Sequence, residues 1–135
     1  MKRILVATLL ASAATISFAG PYDQPYSQIM TERHFPSADP DVLPVLINRI
    51  DDNTVYEKKG TVAPGMHHVT VDLHARKGFP ATQITFPLEA KACTRYYIAA
   101  KLKSRTLQEW EPIVRFEEAL PDCAKKFNVA VAGVK

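Results

Sequence analysis

Between Arg95 and Glu117 the chain reads RYYIAAKLKSRTLQEWEPIVRFE, and polar and apolar side chains alternate on both sides of Thr106. Folded symmetrically about Thr106 as an antiparallel hairpin, one face pairs Leu102 with Trp110, Ala100 with Pro112, Ile98 with Val114 and Tyr96 with Phe116. The other face pairs Lys103 with Glu109, Lys101 with Glu111, Tyr97 with Arg115 and Arg95 with Glu117. A period of two, a continuous apolar face and opposite charges across the strands agree on this register.

Shorter segments of the same kind precede it. Leu43 to Ile50 is an almost unbroken run of branched apolar residues and predicts a first strand. Asp51-Asp52-Asn53 supplies turn chemistry, and Thr54 to Lys58 returns as a second strand. After the tight turn Ala63-Pro64-Gly65-Met66, the stretch His67 to His74 sets Val69, Val71 and Leu73 on one side. His68, Thr70, Asp72 and His74 fall on the other. Thr82 to Glu89 alternates again through Ile84, Phe86 and Leu88. Pro87 and Pro112 have no N–H to give a ladder, so each marks an edge, a bulge or the end of pairing. Pro121 to Phe127 predicts one or two helical turns, and Asn128 to Lys135 is either a last short strand or a frayed end. With no long amphipathic helix, residues 43–135 predict an all-β antiparallel sandwich of about six or seven short strands, Ig-like or transthyretin-like in shape.

The first nineteen residues have the build of an export signal. Lys2 and Arg3 precede an apolar run from Ile4 to Ile16, and Ser17-Phe18-Ala19 ends in small residues at the cleavage-reading positions. The run is short for a membrane span, and no later stretch resembles one. Setting Lys2 and Arg3 aside takes the 17 basic residues to 15, against 14 acidic ones. A mature net charge of +1 argues against a nucleic-acid partner, which calls for a basic footprint. In an exported chain the two cysteines, Cys93 and Cys123, predict one disulfide, placed to staple the open end of the hairpin. The expected compartment is the periplasm or the exterior. Gly20 to Val42, with its tandem Pro21-Tyr22-Asp23-Gln24 and Pro25-Tyr26-Ser27-Gln28, reads as a flexible arm or as a docking segment.

From Val62 to Val71 the run V-x-P-G-x-H-x-V-x-V is similar to the strand, Pro-Gly turn and strand of PEGA-type modules and related small envelope β-sandwiches. About a dozen residues carry the likeness, and the Pro-Glu-Gly-Ala quartet is missing. The resemblance implies an accessory or scaffolding β-domain and brings no catalytic residues.

Three of the four histidines, His67, His68 and His74, lie close together, but His68 and His74 are roughly 20 Å apart along a strand at ~3.3 Å per residue. Asp72 with His74 offers two ligands where a structural zinc site takes four, so no metal is expected. Ser27, Ser37 and Ser104 have no neighbouring histidine motif, and no HExxH, GxSxG, P-loop or GxGxxG occurs. The expectation is a non-enzyme without cofactor. Tyr97, Ile113 and Arg115 on the outer face of the hairpin are the candidate binding residues; in the alternative, the charges of this face only keep the surface soluble and Tyr97 stacks under Arg115. Two functions fit. One is an envelope module that binds another envelope or secreted protein through that face. The other is an inhibitor or immunity-type protein that inserts a protruding segment, Pro64 to His68 or Tyr22 to Tyr26.

Overall fold

The computed structural model describes residues 20–31, 39–57, 59–75, 78–104, 106 and 108–131. The expected export signal, residues 1–19, lies outside them. Within them the chain is an all-β sandwich with one short helix and one disulfide. The strands are β1 (Ser27–Thr31), β2 (Val42–Leu43), β3 (Leu46–Ile50), β4 (Asn53–Glu57), β5 (Lys59–Val62), β6 (Gly65–Leu73), β7 (Thr82–Ala90), β8 (Thr94–Leu102) and β9 (Trp110–Ala119). The helix, α1, spans Pro121–Phe127.

β8 is the spine of the first sheet. β9 covers one of its edges along the whole length, so β1 and β2 share the other. Beyond β1 lies β5, antiparallel to it. The second sheet runs β4-β3-β6-β7, all antiparallel. Between the sheets, Ile29, Tyr96, Ile98, Ala100, Leu102 and Trp110 of the first meet Ile47, Ile50, Val69, Val71, Leu73 and Leu88 of the second, all buried. Each large side chain of this layer contributes roughly 1.5–3 kcal/mol. Two aromatic residues keep their polar ends satisfied: Trp110 Nε1 donates to Thr82 Oγ1 at 2.8 Å, tying β9 to β7 across the sandwich, and the Lys91 N–H donates to the Tyr96 hydroxyl at 2.7 Å.

Among the described residues nine strands stand where about six or seven were expected, with β5 among the additions, and three further points differ. Ser27–Thr31 is a strand, although it lies in the segment read as a flexible arm, and it runs parallel to β8 in an otherwise antiparallel fold. Its Ile29 is fully buried, and its ladder fills an edge of β8 that would otherwise be open. The apolar run from Leu43 divides into β2 and β3, which belong to opposite sheets. Pro44, with no N–H for a ladder, sits at the crossing, and Val45 is buried in the core. The hairpin itself keeps the symmetric register only from Ile98 to Leu102, opposite Val114 to Trp110. Below that, Tyr97 pairs with Phe116, Tyr96 with Glu117 and Arg95 with Glu118, because a β-bulge leaves Arg115 opposite no residue of β8.

Pro87 and Pro112 lie where their chemistry requires. β7 and β9 are outer strands of their sheets among the described residues, so a missing N–H at either position leaves no neighbour unpaired. Cys93 and Cys123 are bonded, with Cα atoms 5.3 Å apart, joining the start of β8 to α1. Both are buried, with Leu120 and Ala124, in a second small cluster packed by Tyr26, Phe127, Val129 and Val131. Cys93 is held by backbone bonds on both sides: its N–H donates to Tyr26 O at 2.7 Å, and its carbonyl accepts from the Leu120 N–H at 2.8 Å. Asn128, at φ 52°, ends the helix in the left-handed region. Val129 to Val131 follow as neither helix nor strand, and residues 132–135 of the tail lie outside the described residues.

Candidate functional site

The bulge determines what the outer face of the first sheet carries. In the symmetric register Phe116 would enter the core beside Tyr96, and Glu118 would follow it inward. With Arg115 as the extra residue, both turn outward. Phe116 is 43% exposed, and its ring stacks on Tyr97 with centroids 4.2 Å apart and an interplanar angle of 27°. The Tyr97 hydroxyl donates to Glu118 Oε2 at 2.9 Å, and Arg95 Nη1 donates to the same oxygen at 3.1 Å. Arg95 Nε continues the chain to Gln28 Oε1 of β1 at 3.0 Å. Partial burial works against the Arg95 charge, but Tyr97 and Glu118 outweigh it and hold the guanidinium above the ordinary arginine value. The ring pair therefore rests on a fixed polar network spanning β1, β8 and β9.

Ile113 lies opposite Ala99 on this face and is half-buried. Arg115, also half-buried, is close enough to the far end of the face to act on the charge of Asp39. The sheet thus brings Tyr97, Ile113 and Arg115 to one side of the molecule. Tyr97 stacks on Phe116, which the bulge places opposite it where the symmetric register put Arg115.

The charged pairs are also redistributed. Lys101 stands opposite Glu111, yet its ammonium sits 3.1 Å from Asp39, and Lys103 bonds Glu111 at 3.4 Å. Asp39 is held below the usual carboxylate range, first by the hydrogen bond from Lys101, which outweighs desolvation. Glu117 meets Lys91 at 3.4 Å rather than Arg95. All these ions are substantially exposed, and such pairs contribute about 0–1 kcal/mol each. They fix the rim of the face more than its stability.

The other candidate segments are tied down. Tyr22 meets Tyr26 edge-on at 4.9 Å, and Lys126 Nζ donates to Tyr22 O at 2.8 Å, so the start of the described chain is anchored to α1. At the start of β6, Met66 is 59% exposed, while His67 is bonded on both sides. Asp72 accepts from Asn48 at 2.9 Å and Gln83 at 2.7 Å, which occupies the carboxylate once weighed with His74 as a metal pair. No three His, Cys, Asp or Glu side chains converge on a metal position among the described residues.

Phe116 is the residue that alternation missed, and a signal for it existed. The symmetric register forces Glu118 onto the apolar face opposite Thr94, and an unpaired buried glutamate is a reason to look for a slipped strand. Set beside known proteins, the chain matches no family model, no curated protein and no solved structure. Among the described residues no helix is long and apolar enough to cross a membrane.

Proposed function

We propose that this protein is an exported, non-catalytic β-sandwich module that binds another protein of the cell envelope through the face built on Tyr97 and Phe116. The observation that carries this reading is Phe116, a large aromatic ring 43% exposed on a charged surface and braced from beneath by Tyr97. Aromatic residues and arginine dominate the energetics of protein interfaces, and a ring pair already fixed by Glu118 and Arg95 loses little freedom on docking. Export is supported by the leader-like first nineteen residues and by a disulfide of the kind that persists in oxidising compartments. The competing reading, an inhibitor that inserts a turn into an enzyme, draws its support from Met66, 59% exposed after β5.

Photo-crosslinking tests both readings. A benzoylphenylalanine replaces Phe116, Met66 or, as a control on the second sheet, exposed Glu89, in the cell that makes the protein. The proposal expects one discrete adduct from position 116, competed by unlabelled wild type and not by a Tyr97→Ser variant. An adduct from position 66 in its place moves the assignment to the inhibitor reading. Adducts from position 89 alone, or from none of the three, overturn both. Deleting residues 20–40 is not a clean test of the arm, because it removes β1 from the middle of a sheet.

A further inference from the structure

The open margins of the two sheets meet in a cleft of about 500 Å³. Ile50 and Asp51 at the end of β3 and Thr54 and Val55 of β4 line one wall; Lys59, Gly60 and Val62 of β5 line the other. Two turns close one end: Asp51-Asp52, between β3 and β4, and Ala63-Pro64, between β5 and β6. His67 bridges them. Its Nδ1 lies 2.7 Å from Asp51 Oδ2, and its Nε2 lies 2.6 Å from the Ala63 carbonyl oxygen.

Both partners are acceptors. A carbonyl oxygen has no proton to give. The Asp51 carboxyl is held below its usual range, first by the bond to His67 and then by the His68 N–H at 2.9 Å, so it is ionised and accepts as well. An imidazole that donates from both nitrogens carries two N–H groups and a positive charge; the neutral ring has one N–H and leaves one partner facing a lone pair. The carboxylate is the stronger acceptor, so the neutral ring keeps Asp51 and gives up Ala63. Gly65, at φ +130° with open space around it, supplies the pivot for that turn to move.

We propose that His67 is a proton-operated clasp at the mouth of this cleft: charged, it ties the two turns together, and neutral, it releases the Ala63-Pro64 turn and widens the opening. The charged and titratable neighbours are few. Asp51 faces the ring from the turn after β3 and Asp52 follows it. Lys59 lines the same cleft from β5, and His68 is next along β6. β7 presents Leu88 opposite, with Glu89 one residue beyond, and β4 presents Thr54 and Val55. The His67 side chain is 13% exposed. Imidazole changes charge between about pH 5 and 8, a range that external compartments cross.

Nitrogen-15 NMR of the intact protein across that range tests the clasp. At about pH 5 the His67 ring is expected to show protons on both nitrogens. As pH rises the Nε2 proton signal is lost, and the Ala63 and Gly65 amides shift in step with the ring. His67→Gln abolishes the pH response of those two amides, whereas His68→Gln leaves it intact. A singly protonated His67 at the acid end, or Ala63 and Gly65 amides that do not follow the ring, overturns the proposal. The wild-type titration decides this even if His67→Gln fails to fold.

Discussion

Deleting Arg115 is the sharpest test of the bulge and of the face it creates. In a regular strand, removing one residue turns every later side chain over. Here Ile98 already pairs with Val114 and Tyr97 with Phe116, so losing Arg115 brings the two halves of β9 into continuous register without changing a pair. The expected cost is the Arg115 side chain's own contacts and a relaxed local twist, about 1 kcal/mol. Deleting Ala99, which pairs with Ile113 on the regular strand β8, is the contrast. It would expel Tyr96 and Ile98, both buried to 1% or less, at roughly 1.5–3 kcal/mol each. Such a loss of about 3–6 kcal/mol takes most of the stability of a small domain. Urea unfolding followed by Trp110 fluorescence measures both, with the midpoint compared at constant slope. If the Arg115 deletion unfolds the protein as the Ala99 deletion does, the assignment of Arg115 as the inserted residue is refuted.

Three further outcomes are expected. A Cβ at Gly60 would overlap Ile50 Cδ1, so Gly60→Ala overpacks the core by roughly 1–3 kcal/mol; Ile50→Val costs about 0.5–1.5 kcal/mol but removes the clash, so the double variant should be more stable than the two single costs summed, and additive urea midpoints would disprove the contact. Cys93→Ala with Cys123→Ala opens a cross-link spanning 30 residues and should cost roughly 3–4 kcal/mol by chain entropy, with α1 amides the first to lose exchange protection; an unchanged melting temperature would count against it. Asp51 has a folded pKa depressed below its ordinary 3.8, first by the His67 bond, so its contribution is fully present above that value and is lost as pH falls through the folded one; the stability gap between wild type and Asp51→Asn should therefore narrow as the solution is acidified below about pH 4, and a gap constant with pH would exclude the linkage.

What the sequence disclosed follows from the range of each signal. Period-two alternation is local, so β6, β7 and the outer half of the β8–β9 hairpin could be read directly, with Val69, Val71 and Leu73 on the buried side. Cysteine pairing was legible because two cysteines admit one partner choice. β1 was hidden because its pairing with β8 joins Gln28 to Arg95, far along the chain, and no alternation long enough to notice occurs in five residues flanked by proline-rich sequence. The division of the run from Leu43 was hidden for a different reason. Continuous apolar residues report burial, and burial is the same whichever sheet supplies the ladder.

The face and the clasp show why the site was harder to read than the fold. Tyr97 and Ile113 could be placed on the outer face because they obey the alternation; Phe116 could not, because it breaks it. The break is what gives the face its character: one inserted residue releases Glu118 from the apolar side, where it would have been unpaired, and places it under the Tyr97 hydroxyl and the Arg95 guanidinium. Phe116 is carried out by the same half-turn and lies on Tyr97. His67 follows the same logic at the other end of the sandwich. Its parity with Val69 places it on the inward side, yet its partners come from two turns rather than from a neighbouring strand, so no periodicity points to them. In both places the chemistry sits where the regular ladder is interrupted, by a bulge in one case and by turns in the other. Repetition along the strands specifies the sandwich, and the departures from repetition specify what the sandwich presents.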